Sequence, residues 1–409
     1  MRVTFFKNTV FLIGLTILSC GSSTSKDALK TIITSDSTSV VPVQKKEIVL
    51  GVEQFEKYLP GLKDKKVAVV ANQTSFVPSK NMHLVDFLLS KKIGVIKVFA
   101  PEHGFRGAIQ AGEQIKDGID VKTGLPLISL YGKNKKPTPE QLKGVDFVIF
   151  DIQDVGARFY TYISTLHYVM EACAELKIPI IVPDRPNPNI HYIDGPVLEE
   201  SQKSFIGMHP VPVVHGMTIA EYAQMINGEG WLDQAMQAYL EVIPMKNYTR
   251  NSTYSLPIKP SPNLTNDQAI NLYPSTCFFE GTPLNEGRGT DMQFQVFGAP
   301  ALPASNYPFS YTPRPNEGSK DPKFNGKLCH GKDLRKHPRL NKLNLEWLID
   351  AYNDYPDKPK FFTDFFSKLA GTKKLQEQII KGLSAEEIRA TWVKDLKRYD
   401  EMRRKYFLY

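Results

Sequence analysis

Cysteine is scarce in this chain: four in 409 residues, at Cys20, Cys173, Cys277 and Cys329. No two of them stand in a Cys-x-x-Cys pair. Setting Cys20 aside leaves an odd number, so neither a disulfide framework nor a zinc site is expected. Cys173 lies in an apolar helical pattern, where a buried thiol acts as a small hydrophobe. Other signatures are missing as well. No Gly-x-Gly-x-x-Gly follows the first apolar strand, where Asn72-Gln73-Thr74-Ser75 stands instead, so a dinucleotide role lacks its phosphate-binding turn. No Gly-x-Ser-x-Gly turn marks a serine esterase. No His-x-x-x-His or paired Asp-His spacing marks a metal centre, and neither a metal nor a cofactor is expected.

The longest apolar run near the start, Val10 to Leu18, is too short to span a bilayer. Arg2 and Lys7 precede it and Ser19-Cys20-Gly21 follows, the layout of a secretory signal over residues 1–19. Cys20 after Ile17-Leu18-Ser19 resembles a lipobox, which makes Cys20 the expected lipidation site and new N-terminus. Residues 20–47, rich in Ser, Thr and Lys, then form a flexible tether. The expected protein is an exported lipoprotein of the cell envelope, held on the outer membrane and facing the periplasm.

The formal charge is +8, and removing Arg2 and Lys7 leaves +6. Much of it gathers near the C-terminus, at Lys332, Arg335, Lys336, Arg339 and Lys342 and again from Lys394 to Lys405. An exported protein seldom meets nucleic acid, so none is expected as a partner. The basic residues form a solvated face or one attracted to an anionic envelope polymer.

From Lys66 onward, apolar strands alternate with amphipathic helices. Strands are predicted at Val67 to Ala71, Val95 to Ala100, Leu127 to Tyr131, Val145 to Asp151, Ile178 to Pro183 and Leu240 to Pro244. Helices are predicted at Met82 to Lys91, Thr161 to Leu176 and Thr218 to Asn227. Continuous Val/Ile runs separated by helices indicate a parallel sheet covered on both faces, a doubly wound Rossmann-like α/β domain over 48–268. The Pro- and Asn-rich passage from Pro257 to Pro274 breaks the periodicity and precedes a smaller α+β domain at 269–409. Its helices are expected at Leu345 to Tyr355, Leu375 to Lys381 and Ser384 to Tyr406, the last opened by the capping box Ser384-Ala385-Glu386-Glu387.

Strand ends carry the chemistry. Ala100 leads into Glu102, His103 and Arg106; Phe150 into Asp151, Asp154 and Arg158; Val182 into Asp184, Arg185 and Asn187. In open α/β sheets, ligands bind at that edge. Tyr160 and Tyr162 each offer an apolar ring face with a hydroxyl, suited to a sugar. Two prolines stiffen the Asp184-Arg185-Pro186-Asn187-Pro188 turn. Farther on, Glu280, Glu286 and Arg288 lie among glycines in a loop that permits close approach to a ligand.

Five ordered motifs together resemble the NamZ family of exo-acting β-N-acetylmuramidases. They are Glu102-His103-Gly104; Asp151-x-x-Asp154-Val155-Gly156-x-Arg158-x-Tyr160-x-Tyr162; Asp184-Arg185-Pro186-Asn187-Pro188; Asp194-Gly195-Pro196; and Glu286-Gly287-Arg288-Gly289-Thr290. The resemblance spans Ile48 to Tyr409 and departs where Gln293 replaces an expected Pro before Phe294. It implies release of N-acetylmuramic acid from the non-reducing end of peptidoglycan fragments, at a cleft between the Rossmann-like domain and the smaller one, with Glu102 the leading catalytic group.

Glycoside hydrolysis needs an acid for the leaving oxygen and usually a second carboxylate. Glu102 is the expected acid, with His103 or Arg106 positioning the sugar. Asp151, Asp154, Asp184, Glu199 and Glu286 all qualify by type as the second, with Asp184 and Glu286 favoured, and a substrate-assisted route through the acetamido group stays open. The lactyl carboxylate of muramic acid calls for an arginine clamp, for which Arg158, Arg185 and Arg288 are the candidates. Two rival readings stand beside this one: a metal-dependent hydrolase using Asp151, Asp154, Asp184 and His103, and a non-catalytic peptidoglycan-binding lipoprotein.

Overall fold

A computed structural model describes residues 46–107 and 117–409. Cys20, the signal segment and nearly all of the tether lie outside the described residues. The main sheet grows from short Val/Ile runs that alternate between two buried faces. Its first strand, β1 (Lys66–Ala71), precedes a small hairpin of β2 (Phe76–Val77) and β3 (Met82–His83). Then come β4 (Gly94–Ala100), β5 (Gly118–Ile119), β6 (Pro126–Ser129), β7 (Phe147–Asp151), β8 (Ile180–Pro183) and β9 (Leu240–Ile243).

Seven of these strands lie in the order β5-β6-β4-β1-β7-β8-β9. All pairings are parallel except that of β5 with β6. Counting the parallel strands in chain order gives 3-2-1-4-5-6, the Rossmann arrangement, with its switch point between β1 and β7. The alternation shows in the packing. Val67, Val69 and Ala71 face the layer of α1 (Phe55–Leu62) and α2 (Leu84–Ser90). Ala68 and Val70, with Val148, Phe150, Ile180 and Val182, face the opposite layer.

That opposite layer contains α4 (Tyr162–Leu176) and α5 (Ile219–Gly228), after the short α3 (Pro139–Leu142). On α4, Ile163, Leu166, Val169, Met170 and Cys173 supply the buried stripe, and Lys177 at φ 56° ends the helix. Thr218 and Glu221 close a reciprocal capping box on α5, supplying partners to amides that a helix start leaves unpaired.

The predicted helix at Met82 to Lys91 is shorter, because Met82 and His83 pair with the hairpin and the His83 ring accepts from Val85 N at 3.2 Å as the cap of α2. Helix α6 (Asp267–Thr276) crosses the expected 268/269 boundary. The hydrophobic core also crosses it, running from Phe150 and Val182 through Phe278 and Phe297 to Trp347 and Tyr399. The later segment holds an antiparallel sheet in the order β10-β12-β11, formed by β10 (Val296–Ala299), β11 (Phe309–Tyr311) and β12 (Cys329–Asp333).

Helices α7 (Glu346–Asp354), α8 (Asp364–Ala370), α9 (Lys374–Ile380), α10 (Ala385–Ala390) and α11 (Val393–Arg403) complete the chain. The helix expected over Ser384 to Tyr406 starts with its capping box, Ser384 N donating to Glu387 Oε2 at 2.8 Å, but breaks at Thr391-Trp392. The indole of Trp392 is buried, and turning the chain there puts that ring into the core. The last residues return to the main sheet. Leu408 N donates to Glu221 at 3.0 Å, and the Tyr409 hydroxyl accepts from Met245 N and donates to Asp184 at 2.9 Å.

Candidate active site

The crevice at the β1/β7 switch point is filled by the chain's own side chains. Asn72 Oδ1 accepts from Thr74 N at 2.8 Å, Thr74 Oγ1 accepts from Gln153 N at 3.0 Å, and the Ser75 hydroxyl donates to the Asp151 carbonyl. An Asx turn of this kind satisfies its own backbone donors. The open cavity lies instead beyond the end of β4.

There, Pro101 to Gly104 makes a tight turn closed by Gly104 N donating to Pro101 O at 3.0 Å. His103 occupies its left-handed position at φ 72°, a conformation that costs a non-glycine residue about 1 kcal/mol or more and collects at functional sites. Glu102 lines the cavity. The Thr161 hydroxyl donates to its Oε2 at 2.8 Å, and the Tyr162 hydroxyl donates to its backbone carbonyl at 3.3 Å. Thr161 and Tyr162 begin α4. The carboxylate therefore sits at the positive end of a 15-residue helix, where backbone N–H groups favour an anion.

The facing wall comes from the later segment. Arg288 bridges two carboxylates, Nη2 to Glu280 Oε1 at 2.8 Å and Nε to Glu286 Oε1 at 3.0 Å, with its guanidinium 5.2 Å from the centre of the Phe294 ring. Glu286 is 2% exposed, and burial raises its pKa while Lys323, 3.7 Å from Oε2, and Arg288 oppose that rise. The Lys323 ammonium also donates to the carbonyls of Phe279, Glu280, Thr282 and Leu284 at 2.9 to 3.2 Å. It thus gathers the exposed carbonyls of a short helical turn and carries charge to the glutamates. Phe294, at φ 57°, donates its N–H to Glu286 O at 2.8 Å and sets its ring edge-on to Tyr273 at 4.9 Å. Gln293 stands buried before it, and the loop keeps Glu286 and Arg288 in the wall.

Between the walls is a cavity of about 690 Å³. Of the residues expected at a site, Glu102, His103, Tyr160, Glu286 and Arg288 line it. Tyr160 anchors its hydroxyl on Pro260 O at 2.7 Å and leaves a ring edge for the pocket.

Others are held elsewhere. Arg106 turns outward to Asp120 at 2.7 Å and Asp86 at 3.2 Å, tying the loop after β4 to α2 and the β5 turn. Asp151 and Arg185 form a buried bidentate pair at 2.6 and 2.8 Å at the switch point, and Arg185 also reaches Phe76 O. Each satisfies the other, so neither is available for a lactyl group. Asp154 accepts from Gly156 N at 2.7 Å and lies 3.3 Å from His215 Nε2. Arg158, wholly buried, donates to the carbonyls of Pro196, Val211 and Leu369 at 2.8 to 3.0 Å.

Asp184 does not line the cavity. It accepts from Arg185 N, Thr218 Oγ1, Ala220 N and Tyr409, and burial raises its pKa to about 6. It fastens α5 to the sheet. Asn187 donates to Met217 O at 2.8 Å and packs so tightly on Gly156, at φ 83°, that a Cβ there would overlap its amide. Tyr162 supports Glu102 from behind. Glu199 pairs with Lys374 at 2.7 Å outside the cavity. Several basic residues of the C-terminal face are also neutralised locally, Lys332 by Asp350, Arg335 by Asp333 and Arg404 by Asp400.

Glu280, Thr161, Tyr273 and Lys323 belong to the cavity wall and are absent from the sequence-based set of site residues. Thr161 had a local signal, since it opens a helix that follows a strand. Lys323 had none, lying in an irregular loop whose partner carbonyls come from another turn.

A Rossmann-ordered sheet with a pocket of carboxylates and rings beside its carboxyl edge defines an α/β enzyme for a polar, sugar-like substrate. Comparison with known proteins narrows this. Residues 67–268 match the N-terminal domain of exo-β-N-acetylmuramidase NamZ, and residues 271–409 match its C-terminal domain. The chain is 37% identical, over the full length of both, to the peptidoglycan β-N-acetylmuramidase NamZ of Bacillus subtilis (strain 168). A crystal structure of a DUF1343 family protein from Bacteroides fragilis NCTC 9343 has a TM-score of 0.83 and 45% identity, covering 89% of this chain and 99% of that one. A second from the same organism has a TM-score of 0.75 and 28% identity, covering 88% and 99%. The chain belongs to the NamZ family and is a glycosidase.

Proposed function

We propose that this glycosidase releases N-acetylmuramic acid from the non-reducing end of peptidoglycan fragments, in turnover of the cell wall, with Glu102 as the proton-transferring carboxyl. The observation that carries the reading is the pairing of Glu102, held by Thr161 at 2.8 Å, with the Glu280–Arg288–Glu286 cluster across one cavity of about 690 Å³.

A sugar filling this space displaces water and brings its leaving oxygen within reach of the Glu102 carboxyl. The second function falls to Glu286 or to the substrate's acetamido group. Glu286 stands beside Glu280 on the opposite wall, and its second oxygen, Oε2, has no hydrogen-bond partner among the described residues. Tyr160 and Tyr273 offer ring surface to the pyranose. Arg288 is the arginine of the lining and the remaining candidate for reading the lactyl carboxylate.

The signal-like start and Cys20 support an exported, lipid-anchored protein on the periplasmic side of the outer membrane. Fractionation of wild type against a Cys20→Ala protein tests that part. For the chemistry, a Glu102→Gln protein is incubated with a chromogenic N-acetylmuraminide. Retained binding with turnover lost supports the reading. Undiminished turnover by that variant removes Glu102 from the chemistry, and a wild-type protein inert on every muramyl substrate favours a binder.

A further inference from the structure

The cavity does not end at its own rim. The loop after β6 brings Tyr131 to it, and Phe205 lines it from a second loop. The Phe205 ring lies 6.3 Å from Tyr131 and 6.3 Å from Tyr168, the latter at an interplanar angle of only 17°. Nearly parallel rings at that separation are laterally offset rather than overlapped, so they make a stepped platform. Tyr168, on the outer side of α4, belongs in turn to the wall of a second cavity of about 670 Å³ that includes His167, His209 and Trp231. All four aromatic side chains, Tyr131, Phe205, Tyr168 and Trp231, are half-buried. A row of rings therefore leads from the Glu102 cavity to the next depression.

Charge follows the same path. Lys135 holds its ammonium 4.7 Å from the centre of the Phe205 ring, and among the described residues no carboxylate pairs with it. Lys203, at the rim of the second cavity, is already paired with Glu200 at 3.4 Å and leaves Lys135 as the cation of this path. A pyranose buries its C–H face on an aromatic ring while its hydroxyls stay in water. A row of rings with an unneutralised cation suits a chain of sugars that carries carboxylates at intervals.

We propose that Tyr131, Phe205 and Tyr168 form the leaving-group subsites, along which the glycan beyond the cut bond lies, with the lactyl carboxylate of its first muramyl residue against Lys135. This rests on the muramidase reading above and extends it to chain length. An exo-acting site holds only the terminal sugar in its pocket, so discrimination between short and long fragments is made outside it, where this platform lies.

The experiment compares two substrates on the full-length protein: an aryl N-acetylmuraminide, which has no sugar beyond the bond, and a muramyl-containing tetrasaccharide. Tyr168→Ala and Lys135→Gln should each lower the ratio of kcat/KM for the tetrasaccharide to that for the aryl glycoside about tenfold, mainly through KM. Tyr168→Phe, which keeps the ring, should restore the ratio. An unchanged ratio in both variants overturns the proposal, as does equal loss on both substrates by proteins whose melting matches wild type. If wild type cleaves neither substrate, the muramidase reading itself has failed, an outcome distinct from either.

Discussion

The Thr161 hydroxyl donates to Glu102 Oε2 across 2.8 Å, joining the first residue before α4 to the turn after β4. This hydrogen bond ties the central carboxyl to a helix end that lies outside its own loop. Thr161→Val removes the donor while keeping the shape. It should lower kcat about tenfold with a small change in KM, because misorientation of a reacting group costs rate rather than ground-state binding. Thr161→Ser should recover most of the rate, and steady-state kinetics on a chromogenic muraminide make the comparison.

Among the described residues Arg158 has no carboxylate partner, and burial lowers its pKa to about 9. Its three carbonyl contacts join residues far apart in sequence, one of them the C-terminal turn of α8. Replacement by Met strands three buried acceptors, which should destabilise the fold by roughly 3–5 kcal/mol in urea titrations. The folded fraction should keep its KM for muramyl substrate. A large rise in KM at unchanged stability would instead return Arg158 to the role of substrate clamp.

Arg288 lowers the pKa of Glu286 against the effect of burial. Arg288→Gln removes that opposition, so Glu286 should hold its proton to higher pH. The limb of the pH–rate profile that reports Glu286 should then move upward. Lys323→Met should move it the same way and further, since the Lys323 ammonium opposes the rise more strongly than Arg288 does. Profiles that superimpose on wild type would separate Glu286 from the chemistry.

Glu221 is buried with a pKa raised to about 7, chiefly by desolvation. A carboxyl with a higher pKa folded than unfolded binds more protons in the native state. Its contribution to stability is full below the ordinary glutamate range and is lost as pH rises to about 7. Glu221→Gln keeps the cap on α5, since glutamine also closes a capping box. The variant should therefore lose less stability between about pH 5 and pH 7.5 than wild type, by ~2 kcal/mol, the Arg250 guanidinium 3.1 Å from the Glu221 carboxylate already holding its pKa down. Urea midpoints at the two pH values measure the slope, whatever the change in absolute stability.

The Val/Ile runs were enough to place the sheet's parallel strands, because a strand buried on both faces reads as a continuous apolar run that the amphipathic helices α4 and α5 interrupt. The strand ends brought Glu102 to the cavity, yet the same reasoning enlisted Asp151, Asp184 and Arg185, which do not line it. A strand end fixes height in the sheet but not which side of the edge a side chain takes. That depends on tertiary partners such as Thr218 and Tyr409, which meet Asp184 from distant segments. Arg106 and Arg158 show the same limit for cations: a guanidinium has five donors, and nothing local distinguishes a substrate's carboxylate from Asp120 or from three carbonyls. Glu280 and Lys323 escaped because their meeting is made by loops without periodicity.

Tyr409 meets Asp184 across 225 positions of chain. A contact of that separation forms late, after loop closure between the far ends of the fold has been achieved. Until then Asp184 and Glu221 lie at an unfinished sheet edge, lacking donors that only the final residues bring. The protein is thus closed by a latch rather than built from halves that mature independently. A chain shortened by even its last two residues should populate an open form susceptible to protease attack.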